Sequence, residues 1–362
     1  MNIGVPKELK THEYRVAATP TCVAAYVGDG HRVRVQRGAG VGAGFPDTDY
    51  AAAGAELVDD AAQVWAQSEM IVKVKEPLPQ EYQFLRPGLL LFGYLHLAAD
   101  RALTTALLER EVSAVAYETI TDSHGQLPCL VPMSAIAGRL AVQLGARCLE
   151  APAGGPGVLL GGVPGVARGR VVILGGGTVG TQAAIMAAGL GADVTIFDVS
   201  LRRLYALDQL FAGRVQTLHV DEFALVEHLR QADMVIGAVL IPGASAPKLL
   251  RRDHLSEMQN GAVLVDVAVD QGGCAESTRP TSYDEPTFVE EGVIHYCVAN
   301  MPAAVAKTST AALTAVTRPY GRQLAGMGLE QALHNVPGLS GGVNTHRGQV
   351  VHPVVAQWFA GQ

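Results

Sequence analysis

The sequence predicts an α/β protein made of two doubly wound, Rossmann-like parallel-sheet domains with an interdomain cleft, and three observations carry that expectation. Short apolar runs alternate with helix-like stretches in the first third of the chain, and the same alternation restarts at Arg170. A Gly/Pro-rich segment, AGGPGVLLGGVPG at 153–165, separates the two sets. The second set opens on RVVILGGGTVG, where an apolar run breaks into Gly175-x-Gly177-x-x-Gly180 and continues into the helix-like TQAAIMAAGLGA. Gly175 permits the tight turn, Gly177 lets backbone approach a pyrophosphate, and Gly180 lets helix and strand pack closely. The next apolar run, 194–197, ends in Asp198, a carboxylate placed to bind a ribose 2′-hydroxyl and to repel a 2′-phosphate. Strand, turn, helix, strand and terminal acid together indicate an NAD site, with helix-start N–H groups facing the phosphates.

Taken in order, the first set gives strands at 2–5, 32–35, 70–74, 89–92 and 114–117, with helices such as 50–64 and 102–110 between them. Ser134 is placed to cap a connecting helix over 135–149. Segment 153–165 is too apolar for a solvated linker and reads as a packed interdomain loop. The second set gives strands at 170–174, 193–197, 215–218, 234–238, 262–267 and 295–298. From Ser309 the chain is helical again, and Pro319 is expected to kink or end that helix. A glycine-rich stretch at 338–342 precedes a last helix at 354–359. These readings divide the chain into a discontinuous substrate domain, 1–128 plus 306–362, and a dinucleotide domain, 129–305.

The 362 residues suffice for two cores, and although 49% are hydrophobic, no unbroken apolar stretch is long enough to span a bilayer. The start, MNIGVPKELK, lacks an apolar signal-peptide core, so a cytoplasmic location is expected. A net charge of −7 argues against a nucleic-acid surface. Cys22, Cys129, Cys148, Cys274 and Cys297 lie far apart, with no CxxC and no zinc-ligand spacing, which reads as reduced thiols. Cys274 and Cys297 fall near the expected cofactor region, but nothing marks either as a nucleophile.

Three side chains in the first set point to chemistry. Arg15 follows the charged loop KELKTHEYR, Lys75 closes MIVKV, and His96 closes LLLFGYLH. Ligands of open α/β sheets sit outside the carboxyl ends of strands, where Lys75 and His96 fall. Singly, each reads as a surface charge or a strand-end histidine; together they suit a small anionic substrate. Arg15 is suited to a two-point carboxylate clamp, and His96 to proton transfer. In the second set, Asp270 lies just past AVLVDVAV, in reach of the cleft, while Asp266 reads as structural. Asn300 either binds the nicotinamide region or forms an Asx turn before Pro302.

With those residues in place, the chain closely resembles bacterial alanine dehydrogenase, a family related to the soluble NAD-binding subunit of proton-translocating transhydrogenase. The strings that carry the resemblance run almost end to end, among them IGVPKELK, GAGVGAGFPDTDY, VKVKEPLPQEY, LFGYLHLAAD, GVLLGGVPGV, VDVAVDQGGCAESTRPT and HYCVANMPAAVAKTST. The resemblance implies reversible, NAD-dependent conversion of L-alanine to pyruvate and ammonium by a homohexamer. It assigns Arg15 and Lys75 to the substrate, and His96 and Asp270 to acid–base catalysis. To the cofactor it assigns Ser134, Thr178, Val179, Asp198, Arg203, Val220, Val239, Leu240, Val267, Ala268, Val269, Asp270, Arg279, Val298, Ala299, Asn300 and Met301, beside the glycines of the turn. Val220 stands where relatives often carry serine, so a side-chain hydrogen bond is lost there. Gln323 and Met327 stand where some relatives are described with a magnesium-binding glutamate and histidine, so no metal is expected. Other expectations on such a scaffold are an opine-type dehydrogenase, a transhydrogenase subunit or a catalytically silent NAD sensor; retention of Arg15, Lys75, His96 and Asp270 argues against the last.

Overall fold

The computed structural model describes residues 1–239 and 246–360. Two compact units form: residues 1–133 with 303–362, and residues 134–302.

The first unit holds strands β1 (Asn2–Val5), β2 (Arg32–Gln36), β3 (Glu56–Val58), β4 (Met70–Val72), β5 (Leu90–Gly93), β6 (Ser113–Ala116), β14 (Val343–His346) and β15 (Gln349–Val350). Their order is β15-β14-β6-β5-β4-β1-β2-β3. β1 through β6 are mutually parallel and β14 joins β6 antiparallel. Strand order therefore reverses between β1 and β4, the place where an open α/β sheet forms a ligand crevice. The central strands are apolar along their whole length because helices cover both faces; Ile3, Val5, Ile71, Leu91 and Phe92 have no exposed surface.

The second unit holds β7 (Arg170–Leu174), β8 (Asp193–Asp198), β9 (Gln216–His219), β10 (Met234–Gly237), β11 (Val263–Asp266), β12 (Thr287–Glu290) and β13 (Val293–Tyr296). Their order is β12-β13-β11-β10-β7-β8-β9. Read from β9, the six parallel strands follow the 3-2-1-4-5-6 order of dinucleotide-binding sheets, and β12 is an added antiparallel edge. The reversal here falls between β7 and β10, beside the glycine turn.

Several sequence expectations are corrected. The helix expected over 50–64 is two helices, Asp47–Ala52 and Ala61–Ala66, around β3. Gly54, at φ +90°, turns the chain between them, and the Asp60 carboxylate caps the second by accepting the Ala62 N–H. Ser134 is not a cap: the helix runs Val131–Cys148, with Pro132 in its first turn, where a missing N–H costs nothing. The helix expected from Ser309 begins at Ala306 and continues through Pro319 to Met327. Pro319 is tolerated because the carbonyl it leaves without a partner belongs to exposed Ala315. Segment 153–165 is not packed throughout: Leu160 is buried, but Leu159 and Val163 are exposed. The hairpin β14–β15 was not expected; Arg347 (φ 49°) and Gly348 (φ 74°) form its two-residue loop, both in the left-handed region such a loop demands.

Candidate functional site

In the first unit, the loops after β1, β4, β5 and β6 leave the carboxyl ends of adjacent strands, and each contributes a charged side chain. Arg15, from the loop after β1, is almost wholly buried. Glu13 accepts from its Nε at 2.7 Å and from Nη2 at 2.5 Å, while Nη1 points at Met133 Sδ, 3.1 Å away. Glu13 thus takes the Nε–Nη2 edge of the guanidinium. Burial is the largest influence and works against the guanidinium's charge, but the Glu13 hydrogen bonds and charge, with Tyr94 and Glu8, together hold its pKa above the ordinary value.

Lys75 follows β4, and its Nζ lies 3.5 Å from His96 Nε2, so the structure brings these two expected residues together. Burial lowers the Lys75 pKa, and the positive charges of Arg15 and Lys10 push the same way against Glu76 and Glu13. His96 follows β5 in the left-handed region, at φ 50°, an uncommon conformation for a residue other than glycine. Glu118, in the turn after β6, accepts the peptide N–H of His96 at 2.6 Å and that of Leu95 at 3.0 Å. Tyr94 lies nearly parallel to the imidazole, 15° between planes and 6.3 Å between centroids, and its hydroxyl donates to the Cys129 carbonyl.

A buried triad supports this cluster from behind. Lys73 Nζ lies 2.9 Å from Glu81 Oε1 and 3.3 Å from Glu8 Oε2. Glu8 also accepts the Val74 N–H at 2.7 Å, and Glu81 the Leu78 N–H at 2.8 Å. The three charges fix the segment 73–81 from which Lys75 projects.

The second unit holds the glycine turn. Gly175 has φ +100°, and a Cβ there would meet the Ala238 carbonyl at 2.8 Å. A Cβ on Gly180 would lie 1.8 Å from the Gly175 carbonyl oxygen, so helix Thr178–Gly189 packs this closely only with glycine. Gly177 faces open space and gives that helix no side-chain cap, leaving its first N–H groups available. A Cβ on Gly138, in helix Val131–Cys148, would come 2.1 Å from the Val179 carbonyl oxygen, which brings the helix bearing Ser134 against the same turn.

Asp198 ends β8. Its Oδ2 accepts the Gly176 N–H at 2.7 Å and its Oδ1 the Ser200 N–H at 2.8 Å, leaving each oxygen a further lone pair. Arg203 donates from Nε to the Gly176 carbonyl and from Nη2 to Thr181 Oγ1, so it braces the turn. Val220 follows β9 and donates its N–H to the Asp198 carbonyl. Val239 lies beside Gly175, and Leu240 falls outside the described residues.

Val267, Ala268, Val269 and Asp270 follow β11. Exposed Asp270 accepts the Asn300 N–H at 3.4 Å, which joins this segment to Val298, Ala299, Asn300 and Met301. Asn300 is left-handed, φ 55°, and the Tyr283 hydroxyl donates to the Met301 carbonyl. Arg279 has its guanidinium 4.0 Å over the Phe288 ring on edge strand β12. Asp266 is fully buried and accepts from Ala268 N, Cys274 N and Thr278 Oγ1, a structural role. Cys274 and Cys297 are fully buried, and burial raises both thiols, Cys297 to about 12. Among the described residues no group of three or more His, Cys, Asp or Glu is placed to hold a metal, and no helix is long and apolar enough to cross a membrane.

The residues fit a dinucleotide: an open glycine position, an uncapped helix start and a strand-end carboxylate with spare acceptor capacity lie on one switch point. Two sheets of this order, one with that turn and the other with clustered cations at its reversal, define the class as a two-domain α/β oxidoreductase. The comparisons make it particular. The family descriptions "Alanine dehydrogenase/PNT, N-terminal domain" and "Alanine dehydrogenase/PNT, C-terminal domain" match residues 4–137 and 141–353. The chain is 54% identical to the alanine dehydrogenase of Halomonas elongata, covering 99% of this chain and 97% of that one. It is 52% identical to that of Bacillus subtilis, covering 99% and 94%. A solved L-alanine dehydrogenase structure superposes with a TM-score of 0.97 at 51% identity, covering 100% of this chain and 99% of the other. The chain belongs to the alanine dehydrogenase/PNT family.

Sequence reasoning missed Glu13, Glu118 and the Glu8–Lys73–Glu81 triad. Glu13 carried a faint signal, two residues before Arg15 in a charged loop. Glu118 carried none, because its bond to His96 spans 22 residues and goes through backbone.

Proposed function

We propose that the chain catalyses the reversible, NAD-dependent oxidative deamination of L-alanine to pyruvate and ammonium. The observation that carries this reading is the cluster of Arg15, Lys75 and His96 at the reversal of the first sheet. The 54% identity to a curated alanine dehydrogenase supports it. Arg15 binds the substrate carboxylate, its guanidinium held in place by Glu13. Lys75 places an ammonium against the keto oxygen of pyruvate, and its desolvated setting strengthens that interaction.

In the oxidative direction His96 is the general base. It takes a proton from water as water adds to the iminium carbon, returns that proton to nitrogen, and takes the hydroxyl proton as the C–N bond breaks and ammonia leaves. NAD, when bound, accepts the hydride from the substrate α carbon. Asp270 is the second acid–base group, in contact with the Asn300 backbone. Gly175, Gly177 and Gly180 cradle the pyrophosphate, and Asp198 receives the ribose hydroxyls. The remaining cofactor positions are Ser134, Thr178, Val179, Arg203, Val220, Val239, Leu240, 267–269, Arg279 and 298–301. The enzyme works in the cytoplasm as a homohexamer without a metal, and exposed Leu159, Val163 and Val166 supply apolar surface for association.

Mixing the protein with NAD and L-alanine, glycine, serine or glutamate tests the reading. NADH forms fastest with L-alanine; no absorbance change with any amino acid overturns it. The ribose role has its own test. Asp198→Ala weakens NAD binding by about tenfold to a hundredfold, the span of a lost charge-assisted hydrogen bond, and relaxes exclusion of NADP. Unchanged dissociation constants for both cofactors remove Asp198 from that role.

A further inference from the structure

We infer that Glu118 is a positioning residue for the reaction, one that fixes the His96 imidazole and supports its protonated form. This rests on the reading of His96 as the acid–base group. Three observations support it. The Glu118 carboxylate accepts two consecutive peptide N–H groups, Leu95 at 3.0 Å and His96 at 2.6 Å. Consecutive N–H groups ending in a left-handed residue form a concave anion seat, and His96 is that residue, at φ 50°. A left-handed histidine between β5 and the next turn is held only where its surroundings over-determine it, and this carboxylate is the group doing so.

The second observation concerns charge. Glu118 Oε1 lies 3.9 Å from His96 Nδ1, on the opposite side of the ring from Nε2, which lies 3.5 Å from Lys75 Nζ. A proton gained at Nε2 therefore leaves a cation with an anion behind it and an ammonium in front. Without Glu118, the imidazolium loses the anion that faces the Lys75 charge across the ring.

The third concerns what else faces the carboxylate. Tyr94 and Cys129 have their ionisation opposed by burial first and by Glu118 as well, so both stay neutral. His352, from the segment after β15, also faces Glu118; burial lowers its pKa, with Glu118 opposing, which favours its neutral form. The Glu118 side chain is only 14% exposed. Its charge is thus directed at His96.

The test compares Glu118→Gln, Glu118→Asp and His96→Ala in the full-length enzyme, measuring alanine oxidation against pH together with the alanine KM and the NADH dissociation constant. Glutamine keeps an oxygen for the two N–H groups and loses only the charge. Glu118→Gln is expected to lower kcat by about tenfold to a hundredfold. It moves the acid limb of the kcat/KM profile to lower pH and leaves KM and NADH binding within about twofold. Glu118→Asp keeps the charge, so its acid limb stays at the wild-type position and its kcat exceeds that of Glu118→Gln. Wild-type kcat with an unmoved limb in Glu118→Gln overturns the inference, as does equal impairment of both Glu118 variants with KM and melting temperature shifting together. If instead His96→Ala keeps near-normal turnover, the underlying reading of His96 fails, whatever the Glu118 variants show.

Discussion

His96→Ala lowers kcat by about two to four orders of magnitude, the contribution usual for a positioned general acid–base group. The effect falls on kcat because the groups assigned to carboxylate binding, Arg15 and Lys75, are untouched. Arg15 keeps its buried pair with Glu13, and Lys75 keeps its place in the segment held by Lys73. Alanine keeps a Cβ in the left-handed region at position 96, so the melting temperature of the variant is measured beside its kinetics. Steady-state kinetics with L-alanine at several pH values check this. A kcat within a few-fold of wild type, with its pH dependence intact, excludes His96 as the proton carrier.

Lys73→Met has its main effect on stability. Glu8, Lys73 and Glu81 are all buried, and the lysine is the cation between the two carboxylates. Replacing it with an apolar side chain of similar length leaves two buried acids without a countercharge, which costs roughly 3–5 kcal/mol. For a unit of this size that is a fall of roughly 6–20 °C in melting temperature. Activity falls as well, because the 73–81 segment loses its anchor.

The pH dependence has a definite sign. Burial raises the folded-state pKa of Glu8 above its ordinary 4.5, with Lys73 opposing the rise. A raised carboxyl pKa gives stability that is present below the unfolded value and lost as pH climbs through the folded one. Removing Lys73 raises it further. The gap in stability between Lys73→Met and wild type is therefore small near pH 4.5 and widens toward neutrality. Denaturant melts at acid and neutral pH measure it; a gap that is constant with pH means the triad carries no electrostatic weight.

Much of this was legible in the sequence because the two governing patterns are local. Buried parallel strands read as short apolar runs, and both sheets follow from those runs and the helices between them. The glycine turn was legible because each glycine answers a specific steric demand, as at Gly180 against the Gly175 carbonyl. Lys75 and His96 were legible as charged or titratable side chains closing apolar runs at strand ends, and Arg15 as a cation after a charged loop.

What escaped was short or non-local. β3 has three residues and hides inside a helix-like stretch, and β15 has two. β14 takes its place from burial against β6, more than 200 residues upstream, which local periodicity does not report. Pro319 looked like a breaker because sequence does not show that Ala315, whose carbonyl it strands, is exposed. The acids that hold the site, Glu13 and Glu118, act on Arg15 and on a peptide N–H through contacts that only the fold creates. The pairing of Arg15 with Glu13 was hidden for the same reason.

The most direct measurement follows the hydride itself. L-Alanine carrying deuterium on its α carbon is incubated with NAD and the protein, and the products are read by mass spectrometry. The expected result is pyruvate and ammonium in equal amounts, with the deuterium recovered on the reduced nicotinamide and NAD used in preference to NADP. Pyruvate formed with the deuterium released to water, or no pyruvate while the protein still binds NADH, contradicts it.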